Sequence, residues 1–133
     1  MRFISFYRPG KEAATPPSQQ KMAALRQLMD EMSKTGALLA TDGLQSSTEG
    51  AIVRISGGRF SVTDGPFAET KELIAGYAIL AAESKSEAVS WAKRFLDVMG
   101  EGECEVRQMY DGEPGQCAEQ ETTNKHTSTV AER

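Results

Sequence analysis

Two stretches of helical periodicity, each set between strand-like runs, fix the plan this chain can adopt. From Met22 apolar residues recur at Leu25, Met29 and Met32, widened by Ala24 and Leu28, while Gln27, Asp30 and Glu31 fall on the opposite side. Val89, Ala92, Phe95, Leu96 and Met99 repeat the period up to Gly100. A helix with one apolar stripe can cover one face of one sheet. The order β-α-β-hairpin-β-α-β therefore predicts an α+β domain: a ferredoxin-like βαββαβ antiparallel sheet with an inserted β-hairpin and two helices on one face.

The strands carry their own signals. Arg2 to Tyr7 has apolar residues on both sides, Ile4 and Phe6 against Phe3 and Tyr7, as a central strand does. Pro9, Gly10, Pro16 and Pro17 then break the backbone, and Thr15 ahead of Pro16 predicts a capped helix start there. Gly36 suits the left-handed position past the helix end, and Ala37 to Ala40 reads as a short buried strand. Ala51 to Ile55 and Arg59 to Thr63 flank Ser56, Gly57 and Gly58, where two glycines can take the positive φ of a hairpin turn. Ile74 to Ala82 reads as a buried strand, with Gly76 marking a close backbone approach. Ser84 and Glu87 have capping-box spacing, and Cys104 to Tyr110 supplies the last strand.

This plan leaves one sheet face bare. The alternates Phe3, Tyr7, Val53, Ile55, Tyr77 and Ile79 are expected on it, and each large side chain contributes about 1.5 to 3 kcal/mol when buried. A homodimer packed sheet to sheet would bury them. In the alternative, the hairpin folds over its own sheet and the chain stays a monomer.

Composition excludes several functions. The 15 Lys and Arg against 19 Asp and Glu, a net charge of -4, offer no positive field to phosphates, which argues against nucleic acid as a partner. No apolar run reaches the ~18 residues of a membrane span, and Met1 to Tyr7 is too short for a signal peptide, so a cytoplasmic location is expected. Cys104 and Cys117 are too few for a disulfide scaffold and are expected to be reduced. Residues 1–110 form the expected domain. Residues 111–133 are polar, with Val130 as their only large aliphatic residue, and are read as a disordered tail.

The only histidine, His126, lies in that tail, so the body has neither a His-based triad nor a His metal cluster, and carboxylates must carry any acid-base work. No P-loop is present, and neither a cofactor nor a metal is expected. Cys104 reads as an inert thiol in a strand, the alternative being a nucleophile without a histidine partner. The densest polar segment runs from Thr63 to Glu72. Asp64 can accept hydrogen bonds from the backbone that follows, Gly65 supplies unusual dihedrals, Pro66 fixes the exit direction, and Phe67 pins the loop onto the fold. Asp64 is thus either a turn carboxylate or a pocket carboxylate for acid-base or ligand-binding work. Lys71 would neutralise an anionic ligand, with Glu69 as its pair, although such residues are more often a solvated face. Asp42, at the end of the second strand, is expected to come near Asp64. Two carboxylates in one pocket would supply an acid and a base near neutrality. A divalent ion on Asp42, Asp64 and Glu69 would rest on oxygen ligands alone. Arg54 and Arg59 flank the hairpin turn and would attract an acidic small molecule.

The run VTDGPFAETKELIAGY, Val62 to Tyr77, resembles the signature of the DGPF-motif subgroup of the YCII-related family, and Gly36 to Leu44 resembles the family's segment ahead of the hairpin. The likeness covers residues 1–110. It implies a ferredoxin-like dimer of the dimeric α+β barrel type that binds an unidentified small molecule. In one branch it implies a lyase-like activity resembling a chlorohydroxyquinol dehydrochlorinase; as the alternative, it implies a non-catalytic accessory dimer associated with sigma-factor regulation. The YCII branch places a histidine early in the first helix. Here that stretch reads Ser18-Gln19-Gln20-Lys21-Met22, so a mechanism through an imidazole does not carry over.

Overall fold

The computed structural model describes residues 1–9, 17–69 and 73–111. Along the chain run β1 (Arg2–Arg8), α1 (Gln19–Lys34), β2 (Leu38–Gly43), a 3₁₀ turn (Ser47–Glu49), β3 (Ala51–Ser56), β4 (Arg59–Asp64), β5 (Gly76–Ala81), α2 (Lys85–Met99) and β6 (Glu103–Gln108). Strands β2-β5-β1-β6, in that order, pair into one antiparallel sheet, while β3 and β4 form a separate two-stranded ribbon. This is the ferredoxin-like βαββαβ order with a hairpin inserted between β2 and β5, as the periodicities require.

Local chemistry explains the boundaries. The Ser18 hydroxyl accepts from the Lys21 N–H at 3.1 Å and caps α1, so the cap is Ser18 rather than Thr15, which with Pro16 lies outside the described residues. Helix α2 starts with the expected pairing displaced by one residue: the Glu87 N–H donates to the Ser84 hydroxyl at 3.1 Å, and the Glu87 carboxylate accepts from the Glu83 N–H at 2.7 Å. Gly36 (φ +82°), Gly57 (+59°) and Gly58 (+77°) all take the left-handed backbone read from their sequence positions.

The core lies between the sheet and the helices, where Phe3 and Leu80 are the largest fully buried side chains and meet Leu28, Met32 and Ala88. This corrects the expected facing of β1. Phe3 stands opposite Leu80, and the Tyr7 ring meets Phe95 of α2 edge-on at 5.1 Å, so both point towards the helices. The bare face is carried instead by Ile4 and Phe6, opposite Ile79 and Tyr77. A second correction concerns β2, which is an edge strand rather than a buried one. Its register slips between Leu38 and Ala40, and Leu39 is left 52% exposed. The ribbon does not fold over its own sheet: Val53, Ile55, Phe60 and Val62 are 62–74% exposed. The segment expected to form the tail lies, from residue 112, outside the described residues.

Candidate functional site

A cavity of ≈ 660 Å³ lies between the helix layer and the sheet. Its roof is the inner stripe of both helices: Leu25, Met29 and Met32 from α1, Trp91, Phe95 and Met99 from α2. These are the residues that the 3.6-residue period turns towards the sheet. Its floor is the helix-facing side of the strands, where Ser5, Tyr7, Ala78, Leu80 and Cys104 alternate inwards, with Thr41 at the β2 edge.

The polar groups facing this space are neutral. Tyr7 donates its hydroxyl proton to the Glu101 carbonyl at 3.0 Å, and Thr41 donates to the Tyr77 carbonyl at 2.8 Å. Burial, with the negative charge of Cys104 and Glu101 when ionised, holds Tyr7 above the ordinary 10.0 of a phenol. Burial also raises the Cys104 thiol above its ordinary 9.0; a hydrogen bond with Ser5 opposes this and the Glu103 charge adds to it. Both groups are therefore protonated at neutral pH, and the cavity presents hydroxyls, a thiol, thioethers and aromatic rings rather than ions.

Asp42 and Tyr77 also border the cavity, but the register sends their side chains the other way. Tyr77 stands opposite Phe6, which alternates with the inward Ser5 and Tyr7, so Tyr77 belongs to the bare face and Asp42 opposite it does too. There the Tyr77 hydroxyl donates to Asp42 Oδ2 at 3.2 Å. That hydrogen bond, then the carboxylate charge, raises the Tyr77 phenol above its ordinary value. Asp42 and Tyr77 contribute main chain to the cavity rim and a carboxylate–phenol pair to the opposite surface.

The DGPF loop is built as a clamp. Gly65 N–H donates to the Gly50 carbonyl at 2.9 Å, Phe67 N–H donates to the Ser47 hydroxyl at 3.1 Å, and the Phe67 ring lies over Gly50. A Cβ at Gly65 would collide with the Ser47 carbonyl oxygen, so only glycine fits, and the peptide to Pro66 is cis. Phe67 pins the loop, as its apolar ring in a polar segment predicts, and with Leu44, Ser47 and Ile74 it lines a shallower recess of ≈ 280 Å³. Asp64 pairs with Ala51 at the base of the ribbon, is exposed, and borders neither recess. No described hydrogen bond or ion pair joins it to Asp42. Glu69 is exposed, and Lys71 lies outside the described residues. Among the described residues no group of three or more His, Cys, Asp or Glu side chains gathers, so Asp42, Asp64 and Glu69 do not form a cation cluster.

Sequence reading placed the site at the DGPF loop and missed the large cavity. The signal was present as large, flexible or aromatic residues on the inward stripes, Met29, Met32, Trp91 and Met99, but such a stripe looks the same whether it fills a core or leaves a space.

A four-stranded antiparallel sheet roofed by two helices, with an apolar cavity between the layers, defines a small α+β domain of ferredoxin-like plan with a ligand-sized space. The YCII-related domain matches residues 1–111, and the chain belongs to the YCII-related family. An uncharacterised protein of Rhizobium meliloti is 34% identical over 84 residues, which span 62% of this chain and 68% of that protein. Among solved structures, the 5-chloro-2-hydroxyhydroquinone dehydrochlorinase of Burkholderia phenoliruptrix, in complex with 2,5-dihydroxybenzoquinone, is similar at 16% identity and a TM-score of 0.48 over 84% of this chain and 96% of that one. Among the described residues no helix is long and apolar enough to cross a membrane.

Proposed function

We propose that this chain is a homodimeric small-molecule-binding domain, and that the cavity between its helices and sheet holds a neutral, largely apolar ligand of ring size. The observation that carries the reading is the ≈ 660 Å³ space walled by methionine and aromatic side chains, with Ser5, Tyr7, Thr41 and Cys104 as its polar groups. A space of this size and lining suits a small molecule with few hydrogen-bonding groups, and no ionic side chain aimed into it repays the desolvation of a charged one. Neither Asp42, beside the Tyr77 phenol on the opposite sheet face, nor Asp64, at the clamp, faces that cavity, so the acid-base work we propose for these two carboxylates is on a ligand held at the outer surface beside them. Within the same reading the protein acts in the cytoplasm, where Cys104 stays a thiol.

Trp91 is the only tryptophan of the chain and lines the cavity, so its emission reports occupancy directly. Titration with phenols, catechols and indole is expected to shift or quench that emission saturably. Ala78→Leu, which fills the floor, should weaken binding about tenfold or more. A panel that leaves Trp91 emission unchanged up to millimolar concentration would overturn the binding reading. Turnover of any bound phenol, compared in Asp42→Asn and Asp64→Asn, tests the acid-base part: rates equal to wild type would remove both carboxylates from it.

A further inference from the structure

Trp91 is held from outside the cavity that it lines. The Arg94 guanidinium lies over the indole ring, 5.1 Å from its centroid, one helical turn further along α2. Arg94 is in turn gripped from the other helix: its Nη1 and Nη2 donate to Oε2 and Oε1 of Glu31 on α1 at 2.7 and 2.8 Å. Of these three residues only Trp91 borders the cavity. The indole therefore meets the guanidinium on one side and the ligand-sized space on another, and Glu31, Arg94 and Trp91 form a clasp across the two helices.

We infer that Arg94, fixed by Glu31, is a positioning residue that holds the Trp91 indole as a flat wall of the cavity, and that this wall selects planar ring ligands over saturated rings of the same size. The inference rests on the cavity reading above and adds the shape of what the cavity takes. Ion pairs as exposed as this one, with side chains 47% and 49% exposed, contribute little to stability, so fastening the fold does not account for the two-point grip. What it supplies is geometry. Two parallel N–H···O bonds fix the guanidinium plane, where a single bond would leave it free to swivel. The same hydrogen bonds hold the Glu31 carboxyl below its ordinary 4.5, so the acceptor is charged at neutral pH. An aromatic ligand gains from an offset or edge-to-face contact only where the indole is kept at a defined angle, whereas a saturated ring packs on it at any. The other walls discriminate less: Tyr7 and Phe95 already meet each other edge-on at 5.1 Å, and the flexible side chains of Met29, Met32 and Met99 adapt to either shape.

The test compares the full-length chain with Arg94→Met, with Glu31→Ala and, as a control, with Asp30→Asn, which removes the neighbouring acid whose partner is Lys34 on the same helix. Calorimetric Kd values for phenol against cyclohexanol, and for 2-naphthol against decahydro-2-naphthol, give the preference for the flat member of each pair. Time-resolved anisotropy of Trp91, the only tryptophan of the chain, gives the freedom of the ring. Circular dichroism and urea denaturation confirm that each variant is folded. Wild type and Asp30→Asn are expected to bind the flat member roughly three- to tenfold more tightly and to hold the indole rigid. In Arg94→Met and in Glu31→Ala the preference should fall to within about twofold, and the fast component of the anisotropy decay should grow severalfold. A pair that only fastened the helices would lower the denaturation midpoint and move neither readout. A folded Arg94→Met or Glu31→Ala with either readout at the wild-type value overturns the clasp, as does loss of the preference in Asp30→Asn. Equal binding of both members by the wild type overturns the flat wall while leaving a cavity that takes rings. A wild type that binds no member of either pair overturns the cavity reading itself, and the anisotropy decays then still decide whether Arg94 and Glu31 hold Trp91.

Discussion

At the scale of single residues, the DGPF segment separates into positions with different burdens. Gly65 leaves no room for a Cβ against the Ser47 carbonyl, so Gly65→Ala must move main chain rather than a flexible side chain. Its expected cost in urea denaturation is about 1 to 3 kcal/mol, the range for overpacking a tight site. Asp64, one residue earlier, is exposed at the end of β4, and Asp64→Ala should change stability by less than about 0.5 kcal/mol. Sequence reading gave Gly65 the role of supplying unusual dihedrals and left Asp64 open between turn and pocket, because it could see the motif but not which atoms the loop packs against. Cys104 offers a third residue-scale expectation. Burial holds its thiol above 9.0, so alkylation by iodoacetamide at pH 7 should be slow relative to a free thiol and should climb only in the alkaline range.

At the scale of elements, caps and registers decide what the periodicities leave open. Helix α2 depends on the paired hydrogen bonds of Ser84 and Glu87, and Ser84→Ala is expected to lower stability by about 0.5 to 2 kcal/mol, read as a lower denaturation midpoint at unchanged m. The existence and type of both helices and of each sheet strand were legible from apolar spacing. The facing of β1 was not. Arg2 to Tyr7 is apolar on both sides, so its own pattern is equally satisfied either way up, and the choice is made by Leu80 and Phe95, which are distant in sequence. Strand β2 failed for a related reason: Leu38 to Ala40 is as apolar as a central strand, yet the topology puts it at the sheet edge.

At the scale of the whole molecule, the pH dependence of stability draws contributions on both sides of neutrality from groups in different elements. Arg94 holds Glu31 in a two-point hydrogen bond at 2.7 and 2.8 Å, joining α2 to α1 and lowering the Glu31 pKa below 4.5. A lowered carboxyl contributes stability that is present above its unfolded pKa and lost as pH falls through the folded one, so the contribution, small for a solvent-exposed pair, should fade as pH falls from about 4.5. Glu31→Gln is expected to flatten that acid limb of a thermal-melt profile. Tyr7 and Cys104 have the opposite sign. Their raised values mean stability present below the unfolded pKa and lost as pH rises, beginning near 9.0 for Cys104 and 10.0 for Tyr7. The alkaline limb should therefore shift in Cys104→Ala, which removes the earlier of the two titrations.

The sequence by itself determined the α+β class, the βαββαβ order, the hairpin and its glycine turn, because these follow from spacing within a dozen or so residues. It also marked the DGPF segment as special, although what requires a glycine at Gly65 is the close approach of the Ser47 carbonyl and not a positive φ. The tertiary structure alone decided which face of β1 is buried, that Asp42 pairs with Tyr77 in the four-stranded sheet while Asp64 stands in the ribbon opposite Ala51, and that the inward stripes of two helices leave a space above the sheet. Those outcomes depend on pairing register and on the distance between layers. Both are set by contacts between residues far apart in the chain, which local periodicity does not encode.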